Sequence, residues 1–247
     1  MCTLTIAWHV FEDVPVVVAA NRDEYYDRNG EPPRIREWES TVVAPRDDRA
    51  GGTWMGYNEH GVFAGVTNRW SERDLVSERS RGLLVRDVLG TESAEEAARL
   101  VERELDEREY DGFNLLVADE NAAILLEWNG GRNVTTLEPG VHVVVNVGAN
   151  GVYDIPESRK ADGRRQAENA EAVRLALQPE PGERADEWRD RAASVLADHE
   201  YGVCLHGSAF GTKSSSLVTI REHEATYLYA GGPPCETEYE RVEDDIL

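Results

Sequence analysis

Two apolar, β-branched runs, residues 3–9 and 14–20, flank the turn Phe11-Glu12-Asp13 and constrain this chain more than any other stretch. Such a pair reads as a β-hairpin. The first strand begins directly after Cys2, and the second runs into Asn21-Arg22-Asp23-Glu24. Strand side chains alternate, so Asn21 and Asp23 are expected on one face and Arg22 and Glu24 on the other. Hairpin pairing brings the end of the second strand beside the start of the first. Asp23 is therefore expected within reach of Cys2.

A polar, proline-containing loop is expected over residues 25–40, followed by short strands at 41–44, 53–57 and 62–66, the last running into Thr67-Asn68-Arg69-Trp70. Ser93 and Glu96 have capping-box spacing, and Ala97, Leu100, Val101 and Leu105 recur with helical period. Strand-like runs at 113–118, 123–128, 133–137 and 142–147 precede two amphipathic helices, at 159–177 and 185–196. Strands at 216–221 and 225–230 close the chain before a Gly-Gly-Pro-Pro turn and an acidic tail. This order predicts an α/β (α+β) fold of mainly antiparallel sheets with helices packed outside them. At 247 residues with no long linker, a single domain over residues 1–247 is expected.

With 48 acidic against 26 basic residues the formal net charge is −22, and no basic stripe is present to bind nucleic acid. Lys160 and Lys213 are the only lysines. High Asp/Glu with almost no Lys points to adaptation to concentrated salt, where screening suppresses self-repulsion. The apolar run at 14–20 contains Pro15 and is too short to span a bilayer. No basic segment precedes an apolar one, and three cysteines are too few for a disulfide framework, so a cytoplasmic protein is expected. Cys204-x-His206 is the closest thiol–imidazole pair in sequence, and without further ligands it makes a poor metal site. Neither metal nor cofactor is expected.

Removal of Met1 would give Cys2 both a thiol and a free α-amine. An α-amine has a reference pKa of about 7.7–8.0, so near neutrality a useful fraction can take the thiol proton. A carboxylate at Asp23 would orient that amine, and an inward Arg22 would favour the thiolate. Taken singly, Cys2 also fits a small buried strand residue, and Asn-Arg-Asp-Glu a solvated turn. The glycines of Gly51-Gly52-Thr53-Trp54 permit close backbone approach, either to a ligand or within a tight turn that packs Trp54 into the core.

Met1-Cys2-Thr3-Leu4, Asn21-Arg22-Asp23-Glu24, Gly51-Gly52-Thr53-Trp54, Thr67-Asn68-Arg69 and Phe210-Gly211-Thr212-Lys213-Ser214-Ser215 occur in the order and spacing of one family. Over nearly its whole length the chain resembles the NRDE, or transport-and-Golgi-organisation, family, a branch of the N-terminal-nucleophile hydrolases akin to penicillin V and bile-salt amidases. The resemblance implies a four-layer αββα sandwich, with Cys2 as nucleophile, Asp23 as partner of its amine and Asn146 as oxyanion donor. It also implies substrate contacts at Arg22, Trp54, Asn68 and Lys213, where Lys213 stands in a position commonly occupied by Arg. Two functions follow as expectations: a cysteine amidohydrolase cleaving a small acyl amide, or a carrier of a hydrophobic ligand such as haem or an acyl lipid, using the same pocket.

Overall fold

The computed structural model describes residues 2–242 and 246–247. In the first hairpin, β1 (Thr3–Phe11) pairs antiparallel with β2 (Val14–Tyr25), Thr3 opposite Asn21 and Leu4 opposite Ala20. There follow β3 (Gly30–Glu37), β4 (Thr41–Asp47), β5 (Met55–Asn58) and β6 (Phe63–Asn68), then helices α1 (Arg81–Val88) and α2 (Ala94–Glu107). Next come β7 (Phe113–Ala118), β8 (Ala123–Trp128), β9 (Arg132–Thr136), β10 (Gly140–Val145), β11 (Gly148–Ala149) and β12 (Val152–Tyr153). Helices α3 (Lys160–Ala176) and α4 (Ala185–Ala197) precede β13 (Phe210–Arg221), β14 (Glu224–Ala230) and β15 (Glu240–Arg241).

The strands form two antiparallel sheets, in the orders β12-β11-β10-β1-β2-β13-β14-β15 and β3-β4-β5-β6-β7-β8-β9. Period-2 alternation gives each sheet two apolar faces. The inner faces meet in a core that includes Leu4, Ile6 and Val18 from one sheet and Met55, Tyr57 and Phe63 from the other. Outward-facing Ala7, Val17 and Val143 pack under Ala170, Val173, Trp188 and Ala192 of α3 and α4. Outward-facing Val42, Ala64 and Leu115 pack under Leu84, Val85, Ala97 and Val101 of α1 and α2. The result is the expected αββα sandwich. No helix among the described residues is long and apolar enough to cross a membrane.

Three local expectations change. Residues 30–37 form a strand rather than loop; Pro32 and Pro33 are tolerated because β3 is an edge strand, and its pairing with β4 shifts register between Glu31 and Arg34. Helix α1 is too short to show a helical period in the sequence, since only Leu84, Val85 and Val88 are buried; Ser80 caps it, its Oγ accepting from the Gly82 N–H at 3.2 Å. At α2 the capping box is displaced by one residue: Ser93 Oγ accepts from Glu96 N–H, but Glu96 Oε2 accepts from the N–H of Glu92.

Candidate active site

The register of β1 and β2 places Cys2 across from Arg22 at the open end of the inter-sheet core. The Cys2 N–H donates to Asn146 Oδ1 at 3.2 Å, and its Sγ lies 3.7 Å from the Asp23 carbonyl oxygen. Burial pushes the Cys2 thiol above its ordinary value. The resting group is therefore a thiol, and nucleophilic attack requires a base.

Asn146 follows β10 and is held by three hydrogen bonds. Its Nδ2 donates to the Asn68 carbonyl at 2.6 Å, while Oδ1 accepts from Cys2 and from Gln166 Nε2 at 2.8 Å. A carbonyl can only accept, so Asn68 forces the amide nitrogen toward itself and the oxygen toward Cys2. Asn146 is thus first an acceptor that orients the Cys2 nitrogen, a role that sequence reading did not assign. One Nδ2 proton remains beyond the bond to Asn68.

Asp23 is 5% exposed, and burial pushes its carboxyl up to about 7. The Thr212 hydroxyl donates to Asp23 Oδ1 at 2.5 Å and accepts from the Leu205 N–H at 2.8 Å. As alternation requires, Asn21 shares the Asp23 face, its Nδ2 donating to the carbonyls of Leu196 and Val203 on the helix side. Arg22 takes the opposite face, with its guanidinium 4.0 Å from the Trp54 ring centroid.

A cavity of about 500 Å³ opens over Cys2, a size typical of small-molecule sites. Leu4, Trp54, Met55 and Val66 give it an apolar wall, and Arg22, Asn68 and Arg81 also line it. Asp47 organises the rim: its Oδ2 accepts from Arg28 Nε at 2.7 Å and lies 3.8 Å from Arg22, and its Oδ1 accepts from the Ala50 N–H. The glycines of the Gly51-Gly52 loop serve the fold. A Cβ on Gly52 would lie 2.2 Å from the Gly82 carbonyl, where the Thr53 N–H bonds the start of α1.

Lys213 departs from its expected place. A register shift between Thr212 and Ser214 makes it the bulged residue of β13, and its Nζ donates to the carbonyls of Tyr26 and Arg28. It is absent from the cavity wall and fixes the segment after β2 instead. Asn146 lies beneath the wall, 2% exposed. Sequence reading missed Thr212, Gln166 and Asp47 as supports. It also missed Asn114, whose Nδ2 donates to Thr67 Oγ1 and the Val145 carbonyl and so ties the two sheets together beside Asn146.

Among solved structures, the fold is similar to penicillin V acylase from Agrobacterium tumefaciens, with a TM-score of 0.59 and 16% identity over 93% of this chain and 83% of that one. A Caenorhabditis elegans N-acylethanolamine-hydrolyzing acid amidase ortholog superposes with a TM-score of 0.59 and 14% identity, covering 87% of this chain and 92% of that one. A conjugated bile acid hydrolase from Clostridium perfringens gives a TM-score of 0.52 at 13% identity, covering 98% and 97%. At such identities the likeness shows the fold, that of the N-terminal-nucleophile hydrolases. In sequence, a Bos taurus Transport and Golgi organization protein 2 homolog is 26% identical over 235 residues, 83% of this chain and 82% of that protein. The Mus musculus homolog is 23% identical over the same length and shares. The family model for Transport and Golgi organisation 2 matches residues 1–229, and the chain belongs to that family.

Proposed function

We propose that this protein is a cysteine amidohydrolase that cleaves a small acyl amide through an acyl-enzyme at Cys2. The observation that carries this reading is the Cys2 N–H on Asn146 Oδ1 at 3.2 Å, with the thiol at the floor of the cavity. Once Met1 is removed, that nitrogen is an α-amine, already oriented and next to the thiol it must deprotonate.

In this mechanism the neutral amine takes the Sγ proton, and Sγ attacks the amide carbonyl carbon. The carbonyl electron pair moves to oxygen, where the remaining Nδ2 proton of Asn146 stabilises it. In this reading the buried Asp23 carboxyl, whose own backbone carbonyl lies 3.7 Å from Cys2 Sγ, stabilises the α-ammonium that forms. When the tetrahedral intermediate collapses, the C–N bond breaks and the ammonium protonates the departing amine. Water then attacks the thioester with the same amine as base, releasing a carboxylic acid and restoring the thiol. The apolar wall of Leu4, Trp54, Met55 and Val66 suits an acyl chain, and Arg22 and Asn68 suit polar groups at the scissile amide. Three free thiols accord with a cytoplasmic setting.

The test is intact-mass analysis of the purified chain, before and after incubation with a panel of acyl amides. Loss of Met1 and an acyl adduct on Cys2 that turns over are expected. Retained Met1 with no adduct and no hydrolysis would overturn the reading and leave the cavity as a carrier's binding site.

A further inference from the structure

The fold assembles a second chemical cluster, on the helix side of the sheet that carries Cys2. In the sequence, Cys204 and His206 have no neighbouring ligands and make a poor metal site. Folding brings His199, from the 3-10 turn His199–Tyr201 after α4, and Cys235, from the turn after β14, to the same point. One ligand atom from each of the four lies within 4.8 Å of all the others.

Four of the six ligand-to-ligand spacings lie close to the edges of a zinc tetrahedron, and the two from His199 to the sulfurs lie within 4.8 Å. Zn–S bonds of about 2.3 Å and Zn–N bonds of about 2.0–2.1 Å give tetrahedral edges of about 3.8 Å between sulfurs, about 3.3 Å between nitrogens and about 3.5 Å between unlike pairs. The Sγ atoms of Cys204 and Cys235 are 3.4 Å apart, and the Nε2 atoms of His199 and His206 are 3.3 Å apart. His206 Nε2 is 3.7 Å from Cys204 Sγ and 3.1 Å from Cys235 Sγ. The two sulfurs are too far apart for a disulfide, and both thiols are free. Glu236 Oε1 stands 3.9 Å from His206 Nδ1, on the side away from the cluster, where carboxylates commonly support a ligating imidazole.

We propose that His199, Cys204, His206 and Cys235 bind one zinc ion as a closed, structural site of two thiolates and two imidazoles. Two thiols and two imidazoles with no carboxylate among them match Zn(II), and four protein ligands leave no position for substrate. Binding Zn(II) displaces the two thiol protons to solvent and forms four ligand bonds with no change of oxidation state. The site would join the segment after α4 to the turn after β14. Its inner edge is already anchored: Asn21 Nδ2 donates to the carbonyls of Leu196 and Val203, and Leu205, between two ligands, donates to Thr212.

The full chain, purified under a phosphine reductant without chelator, should contain about one zinc per chain by elemental mass spectrometry. After the zinc is stripped, titration with Co(II) should give thiolate-to-cobalt charge transfer and tetrahedral ligand-field bands, which added Zn(II) abolishes. Cys235→Ser and His199→Ala change exposed residues, and circular dichroism confirms that each variant folds. Each should weaken Co(II) binding by at least about tenfold, the lower end of the effect of losing even a supporting partner. No zinc uptake by the reduced wild-type chain, an octahedral cobalt spectrum, variants that bind as tightly as wild type, or a Cys204–Cys235 disulfide that persists under reductant would each overturn the proposal.

Discussion

The Thr212 hydroxyl donates to Asp23 Oδ1 at 2.5 Å across the β13–β2 pairing, and Thr212 Oγ1 accepts the Leu205 N–H. One side chain therefore couples the buried carboxyl beside Cys2 to the backbone of the segment after α4. The Leu205 N–H occupies the hydroxyl oxygen as an acceptor, which directs the hydroxyl proton to Asp23. The carboxyl is thus held in one rotamer.

Thr212→Val keeps the shape of the side chain but removes both hydrogen bonds. A buried polar group left unsatisfied costs about 1–3 kcal/mol, so unfolding in urea should show a loss of at least that size. Thr212→Ser should recover most of it. A Val variant as stable as wild type would show that the pair contributes nothing.

Asp23 also predicts a pH dependence. Its carboxyl is pushed up to about 7 by burial, from an ordinary value of 3.8. Between those values the native state holds a proton that the unfolded chain has released. Stability from this group is therefore full below about pH 4 and declines as pH rises toward 7. A difference of one pH unit between the folded and unfolded pKa is worth about 1.4 kcal/mol, so the effect reaches a few kcal/mol. Asp23→Asn carries no such proton, so its stability relative to wild type should rise from pH 4 to pH 8. A difference that stays flat across that range would contradict the assignment.

The hairpin, and the opposite faces of Arg22 and Asp23, were legible in the sequence because period-2 alternation and a short turn are local features; the register, Thr3 opposite Asn21, was not, because a bulge between Trp8 and Phe11 shifts it. Long-range partners were not legible. Nothing near Asp23 in sequence points to Thr212, nor anything near Asn146 to Gln166, because sheet order and helix packing create those contacts. Lys213 was misplaced for a related reason. Its motif neighbours reach the site, but the bulge between Thr212 and Ser214 turns it toward the carbonyls of Tyr26 and Arg28. Residues 30–37 were hidden by Pro32 and Pro33, which are compatible with a strand only at a sheet edge.

The surplus of acid predicts a salt response. Many ion pairs are solvent-exposed, such as Arg99 with Glu95 and Arg165 with Asp162, and exposed pairs contribute little. Repulsion within a net charge of −22 dominates, and added salt screens it. The unfolding midpoint should therefore rise with KCl into the molar range. A midpoint that is flat or falls would assign the acidic surface no such role.

Asn146 separates an enzyme from a carrier. Its Oδ1 orients the Cys2 nitrogen, while its remaining Nδ2 proton is the proposed oxyanion donor, so Asn146→Ala removes two functions that different measurements detect. Labelling of Cys2 by a thiol-directed electrophile depends on the thiolate and on the neighbouring amine, and involves no oxyanion. It should slow modestly in Asn146→Ala and in Asp23→Asn. Hydrolysis needs the oxyanion donor as well, and losing one such donor costs about 10²–10³ in kcat. Turnover of an acyl amide should therefore fall by far more than labelling does in Asn146→Ala. In Asp23→Asn, which leaves the donor in place, the two should fall together. A carrier has no turnover to lose; its ligand would shield Cys2 from the electrophile, and Asn146→Ala would change only affinity. Equal losses of labelling and turnover in Asn146→Ala would leave the residue as a scaffold for the amine and require the oxyanion donor to be found among the residues that line the cavity.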